Sequence, residues 1–317
     1  MRAVAIDRFG GPEVLAVRNL PAPEVGPGEV RIRVECCGVG PWDVFEREGG
    51  YAELLGIRPR FPLVLGSECA GTVDEVGEGV DDLAPGDRVY ASAFLNPRGG
   101  TLAERAVVPA ETVAPVPDDL PSDQAGGLAG IGITALRGLE DVLRLRAGES
   151  LLVFGASGGI GHVAVQLARR MGARVLAVAS GSDGVSLARR LGADAAVDGR
   201  ADDVVAAARA LAPEGLDAAL LTAGGAAAER ALGALRRGGR IAFPNGVAPV
   251  PAAPPGAALL PYNGDPDRDI LRRLGRWIEA GPFEVHVGAI FPLERIADAH
   301  RAVGEHHLGK IVVRVAP

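Results

Sequence analysis

The chain has 317 residues, 48% of them hydrophobic and 23% charged, which is enough for about two domains that each bury a core. Its net charge of −7 and pI near 5.4 argue against a nucleic-acid partner or an acidic membrane surface, because both require a concentrated basic face. Three cysteines and the lack of any run of ~18 apolar residues predict a cytoplasmic protein with no membrane partner.

Residues 1–121 have the pattern of a β domain. Alternating apolar and polar residues predict strands over 3–6, 30–34 and 71–76, and turns rich in Gly and Pro separate them. Few stretches in this part have helical spacing. A compact barrel or sandwich is the architecture that fits this pattern.

After Pro121 the chain alternates short apolar strands with amphipathic helices. The predicted order is strand 150–154, helix 160–171, strand 174–178, helix 185–191, strand 195–197, helix 204–211, strand 216–221, helix 227–235 and strand 240–243. Strands alternating with helices of this length imply βαβ units, and therefore a doubly wound parallel sheet of the Rossmann type.

The remaining residues predict a loop, a helix and a last strand. Residues 244–261 are rich in Pro and Ala and read as a loop, 267–280 as a helix, and 309–315 as a strand. Because β segments stand at both ends of the chain, we expect the tail to return to the first domain. The predicted domains are 1–121, 122–262 and a return segment over 263–317.

One turn in the second domain has the sequence that a dinucleotide site requires. The apolar strand 151–154 runs into Gly155-Ala156-Ser157-Gly158-Gly159-Ile160-Gly161, and an amphipathic helix follows. Small residues let the turn be tight and the backbone approach the pyrophosphate, while the helix directs its N-terminal N–H groups at the anion. A glycine-rich turn without a ligand is the alternative, but the strand before it and the helix after it favour the dinucleotide.

The end of the next strand bears on which dinucleotide binds. NAD sites commonly place an acidic residue there, whereas residues 178–182 contain none. Ser180 and Ser182 offer hydroxyls at a helix N-terminus, which suits a 2′-phosphate. The prediction is therefore NADPH in preference to NADH.

These segments together resemble the medium-chain dehydrogenase/reductase superfamily, and most closely its zinc-independent quinone oxidoreductase branch, which includes the zeta-crystallins. The resemblance extends over essentially the whole chain and is carried by residues 36–51, 62–80, 85–90, 99–110, 151–168, 191–194 and 308–313. It implies a GroES-like β-barrel catalytic domain beside the Rossmann domain, with the active site in the cleft between them, and often a homodimer.

Two positions depart from the zinc enzymes of the superfamily. Where those enzymes carry a Cys and a His as metal ligands, this chain has Gly40 and Ser67, which cannot bind zinc. The cysteine-rich lobe of the structural zinc is also missing. We therefore expect no metal, with Asp43 and Glu68 serving as hydrogen-bonding residues of the barrel.

The resemblance also implies further contacts to the dinucleotide. The matching positions are Thr134, Thr222-Ala223-Gly224, Phe243-Pro244-Asn245 and Lys310. In related reductases a Lys follows the second strand of the Rossmann domain and a Tyr follows the third. Gly184 and Gly199 stand at those places here, which weakens the prediction of NADPH.

The aromatic residues of the sequence are few, and three of them are candidates for binding substrate. Trp42, Tyr51 and Tyr262 could contact a flat acceptor, although packing is an equal interpretation of Trp42. Tyr51, and after it Asp43, are the candidate proton donors, with solvent water as the alternative.

The function that follows is an NADPH-dependent reductase of small quinone-like or enone-like molecules. An enoyl-thioester reductase is the nearest alternative, and it would require a basic groove for a carrier or coenzyme A. A dinucleotide-binding protein with little turnover, used for sensing or structure, is the alternative outside enzymes.

Overall fold

The computed structural model describes residues 1–315 and divides into two compact units. One unit is Met1–Gly130 together with the chain from Asp265 onward, and the other is Ile131–Gly264. The divisions predicted from the sequence, at 121/122 and 262/263, lie where the hydrophobic pattern changes rather than where the contacts between residues change.

The first unit is built on sheets that are antiparallel except where β15 (Val287–Pro292) pairs parallel with β16 (Lys310–Arg314). Its N-terminal elements are β1 (Arg2–Ile6), β2 (Ala16–Asn19), β3 (Glu29–Val39), α1 (Pro41–Arg47), α2 (Gly50–Leu55), β4 (Leu63–Val64), β5 (Glu68–Val76), β6 (Arg88–Ser92), β7 (Arg105–Pro109), β8 (Val113–Pro115) and α3 (Ser122–Gly126). Strand β3 is central, since both β5 and β7 pair with it. Its apolar side chains alternate into a core of Val, Ile, Leu and Cys residues, as a half-buried strand requires.

The second unit contains one parallel sheet covered by helices. Its elements are α4 (Ala129–Leu136, which begins just before the unit boundary), a π-helical turn (Arg137–Val142), β9 (Ser150–Phe154), α5 (Gly159–Arg170), β10 (Arg174–Ala179), α6 (Gly181–Arg190), β11 (Ala195–Asp198), α7 (Val204–Leu211), β12 (Leu216–Leu221), α8 (Ala226–Leu232), β13 (Leu235–Pro244) and β14 (Ala258–Tyr262). The strand order is β11-β10-β9-β12-β13-β14. The predicted doubly wound fold is confirmed.

The prediction of a loop over residues 244–261 was wrong at its end, because β14 pairs there with β13. Pro261 lies inside this strand and has no N–H to donate. A proline is tolerated because β14 is the edge of the sheet, where one side of the strand needs no hydrogen-bonded neighbour. Composition alone does not show this, since it depends on which strand ends the sheet.

The C-terminal segment contributes α9 (Arg268–Glu279), β15 (Val287–Pro292), α10 (Ile296–Ala302) and β16 (Lys310–Arg314). Strand β16 pairs antiparallel with β3, with Val313 opposite Cys37, so the tail extends the sheet of the first unit. Within residues 1–315, no helix is both long and apolar enough to cross a membrane.

A buried arginine joins the start of the chain to α10. Arg47 and His300 are 2% and 3% exposed. Arg47 donates from Nε to the carbonyl of Gly10 at 3.0 Å, and its Nη1 lies 3.2 Å from His300 Nδ1. Since a guanidinium only donates, Nδ1 is the acceptor and His300 is neutral. Burial, and then the charge of Arg47, lower the pKa of His300 to about 3.

This arrangement predicts that part of the stability is lost in mild acid. In the unfolded chain the pKa of a histidine is about 6.5, so the unfolded state binds the extra proton between pH 6.5 and 3, and the free energy of unfolding falls as the pH falls. We expect the wild type to lose about 1–2 kcal/mol relative to His300→Gln between pH 7.5 and pH 5. Urea unfolding of both proteins at the two pH values measures this.

The comparison with the variant is needed because other groups act in the opposite direction. Burial raises the pKa of Asp43 to about 6 and that of Glu46 to about 7, so these carboxyls stabilise the fold as the pH falls towards their ordinary range. They contribute equally in both proteins. Parallel pH dependences would contradict the role assigned to His300.

Candidate active site

The glycine-rich turn after β9 is tight and closely packed. Gly155 has φ +80°, which favours glycine, and the N–H groups of Gly155 and Ala156 both donate to the carbonyl of Val178 on the neighbouring strand. A Cβ at Gly161 would lie 2.1 Å from the Gly155 oxygen, so a side chain there is excluded. Gly161 therefore allows α5 to approach β9.

Gly158 differs from Gly161 in having space around it. A Cβ there would meet only the Gly155 oxygen, at 3.5 Å, and its φ of −82° is accessible to any residue. Gly158 is the N-cap of the 12-residue helix α5, and no side chain caps that helix. An open backbone position at the positive end of a helix dipole suits a pyrophosphate, so this turn fits a dinucleotide.

The fold brings the other predicted dinucleotide contacts of this unit to neighbouring strand ends. From β9 the chain adds β10 and β11 on one side of the sheet and β12, β13 and β14 on the other. Parallel sheets of this kind bind ligands at the strand ends where the order switches, here between β9 and β12. Residues 222–224 follow β12, and 243–245 end and follow β13. Thr222 Oγ1 donates to the carbonyl of Phe154 at 2.9 Å, which ties the ends of β12 and β9 together. Contact of residues 222–224 and 243–245 with a dinucleotide stays a prediction.

The predicted ribose end of the site contains an unsatisfied hydroxyl. Ser180 is the N-cap of α6, and its Oγ is buried without a hydrogen-bond partner among the described residues. A buried polar group normally has a partner, so an orphaned hydroxyl at a helix N-terminus fits the hydroxyl or phosphate of a bound ribose. Ser182 lies in the first turn of α6 and is exposed.

Close packing explains why glycine stands at positions 184 and 199, the two positions that weakened the prediction of NADPH. A Cβ at Gly184 would lie 2.9 Å from Ser157 Oγ, and one at Gly199 would lie 2.8 Å from Val178 Cγ1. Larger residues at these positions would require their surroundings to move.

The residue after Gly199 was missed in the sequence. Gly199 N donates to the carbonyl of Ala179 at 2.9 Å, so the chain after β11 lies against the end of β10, and Arg200 next to it is exposed. Asp198, whose Oδ1 accepts from Arg200 N, lies in the same turn. Only the pairing of β10 with β11 shows that these charges lie near Ser180.

Tyr262 does not have the environment of a substrate-binding residue. It is 7% exposed, and its hydroxyl donates to the carbonyl of Thr134 at 2.9 Å within the second unit. Burial raises its pKa above the usual range. We correct the prediction of substrate contact for Tyr262, since the ring lies inside the protein and the hydroxyl is already used. Thr134 is 7% exposed.

In the first unit, Asp43 is an enclosed residue at the start of α1. It is 0% exposed, accepts a hydrogen bond from Gly40 N at 2.7 Å, and accepts another from Ser67 Oγ at 2.8 Å. Burial raises its pKa to about 6, although Lys310 and the hydrogen bonds act in the other direction. Both oxygens of Asp43 are therefore occupied and buried, and proton delivery by this residue stays a prediction.

Lys310, the only lysine of the sequence, is buried in the same unit. Its Nζ lies 2.6 Å from Glu68 Oε1 and 4.5 Å from the centre of the Trp42 ring. The two groups form an ion pair without a regular hydrogen bond between them. Glu68 Oε2 accepts from Gly130 N at 2.7 Å. Contact of Lys310 with a dinucleotide stays a prediction.

Tyr51 is the accessible candidate acid. Its ring packs edge-to-face on Phe45 at 4.8 Å and on Phe94 at 4.9 Å, and it is partly exposed. Burial raises the pKa of Tyr51 to about 12, so its phenol keeps its proton at neutral pH. Glu46, on α1, was missed in the sequence. Burial, and then the nearby Asp43, raise its pKa to about 7, which is a suitable value for a proton donor.

Comparison with known proteins places this architecture in a family. The chain matches the models described as alcohol dehydrogenase GroES-like domain, over residues 26–118, and zinc-binding dehydrogenase, over residues 191–313. The quinone oxidoreductase of Lama guanicoe is 31% identical over 314 residues, which are 95% of this chain and 92% of that protein. The chain belongs to the medium-chain dehydrogenase/reductase superfamily, in its quinone oxidoreductase branch. It is an NAD(P)H-dependent oxidoreductase.

Other members of the superfamily match over part or all of their length. The match to the quinone oxidoreductase of Rattus norvegicus is 39% identical but spans 187 residues, about half of that protein, at 54%. A crystal structure described as an NAD-dependent alcohol dehydrogenase superposes with a TM-score of 0.89 at 32% identity, covering 100% of both chains. A mycobacterial protein solved in complex with NADPH gives a TM-score of 0.82 at 30% identity, covering 99% of this chain and 100% of that one.

The two positions matched to zinc ligands lie against the indole of Trp42. A Cβ at Gly40 would lie 2.9 Å from Trp42 Cζ2 and 3.2 Å from Lys310 Nζ, and Trp42 Nε1 donates to Ser67 Oγ at 2.7 Å. Among residues 1–315, no three His, Cys, Asp or Glu side chains are grouped so that they could hold a metal ion.

Proposed function

We propose that this oxidoreductase uses NADPH to reduce a quinone or an α,β-unsaturated carbonyl compound without zinc. The observation that carries the proposal is that an indole and an ammonium group fill the space beside Gly40, where a zinc ligand would project. Oxidation of an unactivated alcohol would lack the Lewis acid that stabilises the alkoxide. A quinone or enone delocalises the incoming charge by itself.

The residues of the chain would bind the cofactor and the acceptor. The turn 155–161 would hold the pyrophosphate at the N-terminus of α5, and the strand-end residues already described would line the rest of the dinucleotide. The bound dinucleotide would supply the hydride, and one proton would complete the reduced product. Trp42 and Tyr51 would contact the acceptor.

The test is NADPH consumption with a panel of a quinone, an acyclic enone and an enoyl thioester. The proposal expects turnover with the first two. Turnover confined to the thioester would establish the enoyl-thioester reductase instead. Tight NADPH binding with no turnover of any acceptor would overturn the proposal in favour of a binding protein.

Tyr51 would deliver the proton, and its removal gives a measurable result. We expect Tyr51→Phe to lower kcat about a hundredfold, the usual contribution of general acid catalysis. Since the pKa of Tyr51 is about 12, the wild-type rate should not change as the pH passes 7. A wild-type rate that falls above pH 7, and a flat profile in Glu46→Gln, would assign delivery to Glu46 instead.

Arg200 would account for a preference for NADPH, since its charge lies in the turn beside the end of β10. We expect Arg200→Ala to raise KM for NADPH about tenfold and to leave KM for NADH unchanged, because losing one charge-assisted hydrogen bond costs about 1.5–3 kcal/mol and only NADPH has the 2′-phosphate. Arg209→Ala, on α7, is the control. Equal effects on both cofactors would contradict the assignment.

The working form of the protein completes the proposal. We propose that the protein acts in the cytoplasm, as a homodimer, on a small-molecule acceptor. Its acidic charge disfavours a nucleic-acid or membrane partner, and the free, buried cysteines Cys36, Cys37 and Cys69 suit a reducing compartment. Sedimentation of the purified protein would test the dimer.

A further inference from the structure

The indole of Trp42 is held from several directions. Its Nε1 donates to Ser67 Oγ at 2.7 Å, and the Lys310 ammonium lies 4.5 Å from the ring centre. The backbone of Gly40 is so close that a Cβ would stand 2.9 Å from Cζ2. A ring held by a hydrogen bond, a cation and a backbone contact has little freedom to change rotamer.

The groups that hold the ring are themselves fixed. Ser67 donates to Asp43, so its hydroxyl oxygen is oriented to accept from the indole. Lys310 is paired with Glu68, and a Cβ at Gly38 would lie 2.6 Å from Lys310 Cε, so the lysine chain occupies a narrow space. The buried carboxylates of Asp43 and Glu68 therefore fix the two groups, Ser67 and Lys310, that hold Trp42.

Trp42 is the accessible member of this cluster. Gly40, Asp43, Ser67, Glu68 and Lys310 are all buried, whereas Trp42 is partly exposed. Because Nε1 is used by Ser67, the indole offers an arriving molecule no hydrogen bond, only aromatic and apolar surface. A preordered aromatic surface favours flat acceptors, since a stacked ring pair gains energy and no ordering has to accompany binding.

We propose that Trp42 is a specificity-determining residue that selects planar aromatic acceptors, and that Ser67 and Lys310 are the positioning residues that hold its indole. This inference rests on the proposed reductase function, and it narrows the acceptor to planar quinones over acyclic enones. Trp42 acts through shape, so its removal changes KM rather than kcat.

The experiment compares 9,10-phenanthrenequinone with methyl vinyl ketone as acceptors in the Trp277→Phe background, where Trp42 is the remaining tryptophan. We expect Trp42→Ala to raise KM for phenanthrenequinone about tenfold, which corresponds to 1.4 kcal/mol, because the stacking of the two aromatic systems is lost together with their contact area. KM for methyl vinyl ketone should rise by a clearly smaller factor, because this acyclic acceptor has no ring to stack on the indole, so the ratio of the two KM values is the readout. Ser67→Ala should also raise KM for phenanthrenequinone, because the indole loses its hydrogen-bond acceptor. Ser67→Thr keeps the hydroxyl, so its KM should be close to that of the Trp277→Phe protein.

Other outcomes separate this inference from the proposed function. Equal changes in KM for both acceptors, or none, would overturn the role of Trp42 while leaving the reductase intact. If the Trp277→Phe protein and the wild type reduce neither acceptor, the reductase proposal fails, and quenching of Trp42 fluorescence by phenanthrenequinone decides the inference. Saturable quenching that weakens in Ser67→Ala would support it, and quenching without saturation would overturn it.

Discussion

Gly158→Ala is expected to weaken NADPH binding about ten- to a hundredfold while leaving the free energy of unfolding unchanged. The new Cβ has ordinary contact with the protein, at 3.5 Å from the Gly155 oxygen, and the backbone angles suit alanine. The loss would come from the phosphate, because a methyl group would stand where the pyrophosphate approaches the helix N-terminus, and overpacking of this kind costs about 1–3 kcal/mol. Fluorescence titration with NADPH and urea unfolding measure the two quantities.

Two other glycine-to-alanine variants serve as comparisons for Gly158→Ala. Gly161→Ala would place Cβ 2.1 Å from the Gly155 oxygen, so we expect it to lose stability as well as binding. Gly275→Ala on α9, whose Cβ would have an ordinary contact of 3.8 Å with Pro117, should change neither. Unchanged NADPH affinity in Gly158→Ala would show that the pyrophosphate does not bind at this turn.

Lys310→Met is expected to lower the free energy of unfolding by about 3–5 kcal/mol, because it leaves the charge of Glu68 buried and unpaired. Glu68 is 0% exposed, so its carboxylate is enclosed by protein on all sides. The double variant Lys310→Met with Glu68→Gln should recover most of the loss, since the amide can still accept from Gly130 N. Urea unfolding of the single and double variants measures the difference.

The same variants test whether Lys310 also contacts the cofactor. If it does, the double variant will recover stability but not NADPH affinity. Arg295→Met is the control for an exposed ion pair, with Asp298, and should cost less than about 1 kcal/mol. A single variant as stable as the wild type would contradict the buried ion pair.

The cluster of Trp42, Asp43, Ser67, Glu68 and Lys310 shows why part of the candidate site could not be predicted from the sequence. Asp43 was a candidate acid because a carboxylate in a predicted cleft segment can donate a proton, but its enclosure depends on Ser67, which is 24 residues away. Lys310 was assigned to the cofactor by its Gly-Lys pair, and its contacts with Glu68 and Trp42 arise because β16 returns beside β3. Pairing between distant segments decides these environments.

The sequence by itself determined the alternation of strands and helices, the glycine-rich turn and the absence of zinc ligands at positions 40 and 67. These features are local, because hydrophobic period, turn residues and ligand chemistry are properties of a few neighbouring residues. The tertiary structure alone decided that Tyr262 is interior, that Arg200 lies beside the end of β10, and that Trp42 is held by Ser67 and Lys310. Burial, pKa and side-chain contact are set by residues far apart in the chain, so no local pattern contains them.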